Sequence, residues 1–139
     1  MGKLLGLDYG RKRVGVAISD EERGFSFGRE TLENKNIENL IIEITEICRQ
    51  EEVEKIILGL PVNLKGERTP WTREVEVFAG QLKRDLKLPV EFQDERLTSQ
   101  MSHSLFRDKK SEQKMEKSKV DEQSARIILQ DYIDRNSLK

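Results

Sequence analysis

The first twenty residues contain two short apolar segments separated by a turn. They are KLLGLD (residues 3–8) and RVGVAIS (residues 13–19), and both are rich in the branched apolar residues typical of strands. The connecting YGRK carries Gly10, which suits a tight turn, so the pattern predicts an antiparallel hairpin. Asp8 ends the first strand, between the two apolar segments.

The rest of the chain alternates predicted helices and strands. In order, we expect a strand at 24–31, a helix at 37–48 capped by Asn36, a strand at 53–61, a helix beginning at Pro70 after a Thr69 cap, a strand at 89–95, a short helix at 97–108 capped by Thr98 or Ser99, a mobile charged segment at 107–119, and a last helix at 120–134. A hairpin followed by helical crossovers requires both antiparallel and parallel pairing. We therefore predict an α/β fold with a mixed sheet, formed by one domain at 1–139.

Length and charge limit the functions that this chain can have. A chain of 139 residues fits one domain and is too short for two full lobes. The net charge of -1 is not that of a general polyanion binder, so contact with nucleic acid requires a local basic patch. No apolar run approaches the roughly 18 residues of a membrane span, so we expect a cytoplasmic protein without membrane contact. Cys48 lies on an apolar helical stripe and is predicted to be a core residue.

Acidic residues follow the predicted parallel strands, at the sheet edge where ligands collect in α/β proteins. Asp8 ends the first strand, and Asp94 and Glu95 end the strand at 89–95. A carboxylate near the centre of a sheet is costly without a partner. Asp8 could cap its turn, pair with Arg11 or bind a divalent cation such as Mg²⁺. Asp121 could join such a site or be favoured by the dipole of its own helix, and the residues alone leave these alternatives open.

Four ordered motifs carry a family resemblance. They are LLGLDYGRKRVGVAISD, GLPVNLKGERTPWT, DERLTS and VDEQSARIILQDYID. In order and spacing they resemble the YqgF (RuvX) family over residues 4–134, nearly the whole chain. Members of this family are described as Holliday-junction resolvases and as nucleases that mature the small-subunit ribosomal RNA precursor. The resemblance implies an RNase H-like fold with a five-stranded mixed sheet in the order 3-2-1-4-5.

The resemblance also implies a metal-binding catalytic site made of Asp8, Glu95 and Asp121. These carboxylates would hold one or two Mg²⁺ or Mn²⁺ ions, which stabilise the attacking and leaving oxygens of phosphodiester hydrolysis. Related resolvases often carry another acid one turn after the last-helix aspartate, where this chain has Ser124. Asp94 is therefore a candidate fourth metal ligand, and the number of ions stays open.

Substrate contacts are expected on both sides of the predicted metal site. The candidates are Gly10, Arg11, Lys12 and Arg13 after the first strand, Gly59, Pro61 and Asn63 after the fourth, and Arg96 and Thr98 in DERLTS. Each group has a structural alternative, because GRKR could be a solvated turn and PVN a turn of favourable residues. Trp71 is expected to pack against its own domain rather than to stack on a base, and His103 is expected at the surface.

The expected function is metal-dependent cleavage of nucleic acid, with the 5′ end of the ribosomal RNA precursor as the favoured substrate. Resolution of four-way DNA junctions is the first alternative, and it requires a two-fold dimer. A monomer or weak homodimer is expected, since no clear dimer seam can be read. A non-catalytic nucleic-acid-binding module is the next alternative. An actin-type ATPase or sugar kinase is disfavoured, because it needs two such lobes.

Overall fold

Five strands form one mixed sheet, with helices on both faces. The computed structural model describes residues 2–63, 65–94 and 117–137, without the side chains of 117–122 and 137. The elements in chain order are β1 (Lys3–Tyr9), β2 (Arg13–Ser19), β3 (Ser26–Glu33), α1 (Ile37–Glu51), β4 (Val53–Leu60), α2 (Pro70–Leu86), β5 (Val90–Asp94) and α3 (Lys117–Ser137). The strand order is β3-β2-β1-β4-β5. The β1–β2 and β2–β3 pairs are antiparallel, and the β1–β4 and β4–β5 pairs are parallel. The predicted mixed sheet and its order are confirmed.

The first two helices begin at the predicted caps. Asn36 Oδ1 accepts a hydrogen bond from the Asn39 backbone N–H at 2.8 Å. Thr69 and Thr72 form a reciprocal capping box around the first turn of α2, and Pro70 occupies the first helical position, where its missing N–H costs nothing. Among the described helices, none is long and apolar enough to cross a membrane.

Several element boundaries differ from the prediction. The helix α1 ends at Glu51 rather than at 48, and α3 extends to Ser137 rather than to 134. β3 spans Ser26–Glu33, two residues later at each end than expected. Residues 117–119 already belong to the last helix, although the predicted start was 120, so they are helical rather than part of a mobile segment. Lys is a good helix former, and nothing between Lys117 and Val120 breaks a helix. The predicted short helix at 97–108 lies outside the described residues.

Alternating side chains divide the core into two layers. On one face, Leu5, Leu7, Ile56 and Leu58 pack under α1 and α2. On the other face, the buried residues of the sheet and of α3 form a second cluster: Leu4, Ala17, Ile57, Ala125, Ile128, Leu129 and Ile133. The contact stripe of α3 follows Ala125, Leu129 and Ile133 at intervals of four. Ile127 and Tyr132 are half-buried, and Tyr132 packs against this cluster.

Gly6 lets α3 approach β1 closely. A Cβ added at Gly6 would lie 2.8 Å from Leu129 Cβ and 3.3 Å from the Ala125 carbonyl oxygen. The first distance is shorter than carbon atoms tolerate in contact. The close position of α3 over the central strand is therefore possible because residue 6 is glycine.

Polar bonds tie α3 to both edges of the sheet. At the β3 edge, Ser26 Oγ donates to the Arg126 carbonyl at 2.9 Å, and the Ser26 N–H donates to Gln130 Oε1 at 2.8 Å. At the β5 edge, Gln93 Nε2 donates to Asp131 Oδ2, and Tyr132 Oη donates to Glu91 Oε2 at 2.6 Å. A single helix thus bridges the outermost strands.

Asp20 closes the turn between β2 and β3, far from the carboxyl ends of the parallel strands. Its Oδ1 accepts hydrogen bonds from the backbone N–H groups of Gly24 at 2.8 Å and Phe25 at 3.0 Å. These donors, Phe25 first, favour the ionised carboxylate and lower the pKa of Asp20 below its usual value. The role of Asp20 is therefore local to this turn.

Cys48 is buried on α1, as predicted, and burial raises the pKa of its thiol to about 12. At pH 8 only about one thiol in ten thousand would be ionised, against roughly a quarter in the unfolded chain. We expect a disulfide reagent to modify the folded chain about a thousandfold more slowly than the chain unfolded in urea. Equal rates would contradict the burial of this side chain.

Candidate active site

Asp8 lies between two glycines at the carboxyl end of the central strand. In the β1–β2 register Asp8 faces Gly15, and Leu7 pairs with Leu58 of β4, which places Asp8 level with Gly59. Gly59 in turn pairs with Gln93 of β5. Asp8 is half-buried, and both glycines are buried. Neither neighbour of Asp8 in this row carries a side chain.

Asp8 belongs to the face of β1 that α3 covers. Leu4 and Gly6 contact this helix, and alternation along the strand places Asp8 on the same face. Position 121 lies on α3 one helical turn before Ala125, which packs over Gly6. The backbone therefore brings positions 8 and 121 to the same face of the sheet.

Two of the three predicted metal ligands lie outside what the structure describes. Glu95 follows the last described residue of β5, and the Asp121 side chain is not among the described ones. Among the described side chains, no group of three histidine, cysteine, aspartate or glutamate residues could hold a metal ion. The grouping of Asp8, Glu95 and Asp121 thus stays a prediction.

Asp94 and its neighbour Gln93 point to opposite faces. Gln93 is buried and donates to Asp131 of α3, so it shares the face of Asp8. Strand alternation therefore directs the Cβ of Asp94 toward the α1 and α2 face, where Val90 packs. The described part of β5 gives no support to Asp94 as a fourth ligand. The Gln93–Asp131 bond was not predicted from the sequence, because its two residues are 38 positions apart in the chain.

The loop after β4 is built by Asn63. Its Oδ1 accepts hydrogen bonds from the N–H groups of Lys65 at 3.0 Å and Glu67 at 2.9 Å, which is the bonding of an Asx turn. The carbonyl of Pro61 accepts a hydrogen bond from Thr72 Oγ1 and joins this loop to α2. Asn63 therefore fills the turn role that the sequence analysis named as its alternative, and contact with substrate stays a prediction.

The GRKR turn is held by Asn34, a residue that the sequence analysis did not single out. Asn34 Nδ2 donates to the Gly10 carbonyl at 2.8 Å, and its N–H donates to the Lys12 carbonyl at 2.9 Å. A Cβ at Gly10 would lie 2.5 Å from the Arg13 carbonyl oxygen, so this tight turn requires glycine. Lys12 is exposed and Arg13 half-buried. The turn is thus fixed by its backbone, which presents the basic side chains at the edge next to Asp8.

Aromatic rings line the opposite side of the same edge. Trp71 stacks on Tyr9 with 5.5 Å between ring centroids, and Tyr9 stacks on Phe78 at 4.0 Å. The Arg11 guanidinium lies 4.2 Å from the centroid of Trp71, and it pairs with Glu74 at 3.3 Å. The expected packing of Trp71 against its own domain is confirmed. Arg96, Thr98 and His103 lie outside the described residues.

Nearly the whole chain matches one family model. The model described as "RuvX: Holliday junction resolvase" matches residues 2–135. The chain belongs to the RuvX family. The RuvX resemblance of the four motifs is thereby confirmed over nearly the full length.

Three similar curated relatives of this RuvX chain carry the same name. A protein of Syntrophomonas wolfei named "Putative pre-16S rRNA nuclease" is 38% identical over 136 residues, covering 98% of this chain and 96% of that protein. Proteins of the same name from Maridesulfovibrio salexigens and Bacteroides fragilis are each 38% identical, and the alignments cover 96% and 99% of this chain and 98% and 100% of the relatives.

Solved structures share the RuvX fold at much lower identity. The Thermus thermophilus RuvC in complex with Holliday junction substrate has a TM-score of 0.57 at 10% identity, covering 92% of each chain. The fowlpox virus Holliday junction resolvase has a TM-score of 0.56 at 16% identity, covering 96% of this chain and 99% of that chain. At these identities the likeness concerns the fold alone, and it agrees with the RNase H-like assignment.

Proposed function

We propose that this chain is a metal-dependent nuclease that hydrolyses phosphodiester bonds in the precursor of small-subunit ribosomal RNA, at its 5′ end. The observation that carries the proposal is the half-buried Asp8 carboxylate at the end of the central strand, between Gly15 and Gly59 and under α3. A single strand of nucleic acid can approach such an edge closely, because the adjacent backbone carries no side chains. The names of the curated relatives favour the RNA substrate. This function would place the protein in the cytoplasm.

The donor set fits a hard divalent cation. Carboxylate oxygens are the ligands that Mg²⁺ and Mn²⁺ prefer, and Asp8, Glu95 and Asp121 all supply them. We assign Asp8, Glu95 and Asp121 as the residues that hold one or two such ions. When bound, the metal supplies charge stabilisation for the attacking and leaving oxygens and lowers the pKa of a coordinated water.

The protein's own groups would orient the substrate strand. The side chains of Arg11, Lys12 and Arg13 follow Asp8 and are placed to hold backbone phosphates by charge. The backbone at Gly59 permits close approach of the strand, and Gly10 is proposed as a further contact through its backbone. Further contacts are proposed from Pro61, Asn63, Arg96 and Thr98. Asp94 is a weaker candidate for the metal site, because its Cβ is directed to the other face of the sheet.

Cleavage of four-way DNA junctions is the second candidate, favoured by the description of the matching family model. A resolvase must make two symmetric cuts and so needs a two-fold dimer, whereas one monomer can trim an RNA end. The two functions therefore differ in both product and solution mass.

Substrate preference can be tested with purified chain, Mg²⁺ and two substrates at equal concentration. We expect cleavage near the 5′ end of a 16S ribosomal RNA precursor by a monomer or weak dimer, and none in EDTA. Paired symmetric cuts in a four-way junction by a stable dimer would favour the resolvase instead. Binding without cleavage of either substrate, with Mg²⁺ or Mn²⁺, would contradict both and indicate a non-catalytic module.

A further inference from the structure

Four side chains form a layered stack at the carboxyl edge of the sheet, on the side away from α3. From the core outward they are Phe78, Tyr9, Trp71 and Arg11, which we call the edge stack. The planes of Tyr9 and Trp71 differ by 9°, and those of Tyr9 and Phe78 by 16°. The aromatic rings thus lie nearly parallel, as bases do in a nucleic-acid strand.

The inner part of the edge stack is rigid. Phe78 is buried in the main core, and Tyr9 belongs to the central strand. Trp71 is in the first turn of α2, which the Thr69–Thr72 capping box fixes. The plane of the indole is therefore set before any ligand binds, which lowers the entropic cost of stacking another ring on it.

The outer part of the edge stack is weakly held. The Arg11 guanidinium lies over the ring of Trp71, 4.2 Å from its centroid, and its ion pair with Glu74 has side chains that are 69% and 57% exposed. Exposed ion pairs of this kind change an equilibrium by less than about tenfold. A phosphate group, which accepts bidentate hydrogen bonds from arginine, can compete with Glu74 for the guanidinium.

The edge stack is adjacent to the proposed metal site along the chain. Tyr9 follows Asp8 in β1, and the two side chains leave the strand on opposite faces. A nucleic-acid strand that crosses this edge could place a phosphate at Asp8 and a neighbouring base on the α2 side. The basic turn carrying Arg11 lies between these two positions.

We propose that Trp71 is the stacking platform for an unpaired base next to the cleaved bond, and that Arg11 is its removable cover. On binding, Arg11 leaves Glu74 for a backbone phosphate, and the base takes its place on the indole. This proposal rests on the proposed nuclease function and adds a subsite to it. The ligand is a single strand with unpaired bases, and RNA or DNA can supply it.

Trp71 is the only tryptophan of the chain, so its fluorescence reports the platform directly. The wild-type chain is titrated in EDTA, which prevents cleavage, with a 12-nucleotide oligo(U) RNA, with oligo(dT) of the same length and with an abasic deoxyribose-phosphate chain of equal charge. We expect both base-carrying probes to quench the emission and to bind about tenfold more tightly than the abasic chain. Equal quenching by the abasic chain, or binding of oligo(U) without quenching, would overturn the proposal.

Substitutions test the roles of Trp71 and of Arg11 separately. Binding of oligo(U) is measured by the fluorescence anisotropy of a labelled probe. Trp71→Leu should weaken binding about tenfold, and Trp71→Phe, which keeps a ring, should retain most of the affinity. Glu74→Gln should tighten binding, because it removes the competitor for Arg11. The matched control is Asp85→Asn, an equal charge change elsewhere on α2 that should leave binding unchanged. Loss of affinity in Glu74→Gln, or unchanged affinity in Trp71→Leu, would refute this role.

The fluorescence result does not depend on whether the chain cleaves nucleic acid. If the chain cleaves nothing with Mg²⁺ yet oligo(U) quenches Trp71, the nuclease function fails and the stacking site stands as a binding site. If cleavage occurs without quenching, the nuclease function stands and the platform is rejected.

Discussion

Asp8→Asn is expected to lower the cleavage rate with Mg²⁺ by at least about a thousandfold while the chain remains folded. Asparagine has nearly the same shape as aspartate but lacks its charge, so it would hold a divalent ion poorly at the end of β1. Loss of several kcal/mol of transition-state stabilisation corresponds to about three powers of ten in rate. Initial cleavage rates at saturating Mg²⁺ measure this effect, and circular dichroism checks the fold.

Asp20→Asn is the matched control for Asp8→Asn. It makes the same change of atoms and charge at the β2–β3 turn, where the new amide oxygen can still accept the hydrogen bonds of Gly24 and Phe25. We expect this variant to retain the wild-type cleavage rate. Equal activity of Asp8→Asn and the wild type would reject the proposed metal site, whatever the outcome at Asp20.

Gly6→Ala is expected to destabilise the chain by about 1–3 kcal/mol, because the new methyl group would overlap Leu129 and the Ala125 carbonyl. The helix α3 must then move away from β1 or the central strand must bend. Either change alters the position of residue 121 relative to Asp8, so we also expect slower cleavage at temperatures where the variant is fully folded. Urea denaturation measures the stability, and cleavage assays below the transition measure the second effect.

Gly80→Ala controls for the general effect of adding a methyl group. A Cβ at Gly80 of α2 would meet no atom within 4 Å, and this position is exposed. Alanine in a helix is favoured over glycine by about 0.5–1 kcal/mol, so this variant should be more stable than the wild type. The same substitution is thus expected to lower the stability of the chain at Gly6 and to raise it at Gly80. A Gly6→Ala variant as stable as the wild type would contradict the close packing of α3 on β1.

Local and regular signals were sufficient to predict the strands, the helices and a mixed sheet, whereas the strand order followed from the family resemblance. The hairpin around Gly10, the Asn36 and Thr69 caps and the alternation of strand and helix each depend on residues close together in the chain. The boundaries that differ lie where such signals are weak. The segment before β3 contains exposed Phe25 next to Ser26, and bonding to Gln130 of α3, far along the chain, marks where this strand begins.

The sequence named candidate residues for the site, and their role stays a prediction. Asp8 was named from its place after an apolar strand and from the family resemblance, whereas the flanking positions of Gly15 and Gly59 follow only from the strand register. Strand alternation directs the Cβ of Asp94 away from the face of Asp8, which its place beside Glu95 in the sequence does not indicate. Glu74 was not identified, because its partner Arg11 is 63 residues away in the chain.

The bridging of both sheet edges by α3 has a consequence for the order of folding during synthesis. The five strands of the described sheet precede this helix in the chain. A nascent chain that has emerged only as far as β5 would leave the sheet face of Leu4, Ala17 and Ile57 exposed to water. The edge strands β3 and β5 would also lack their hydrogen bonds to α3. Under the proposed function, the nascent enzyme would also lack Asp121 at this stage. Emergence of α3 from the ribosome would then complete the core and the metal site in one step, so that a partly made enzyme could not cut RNA.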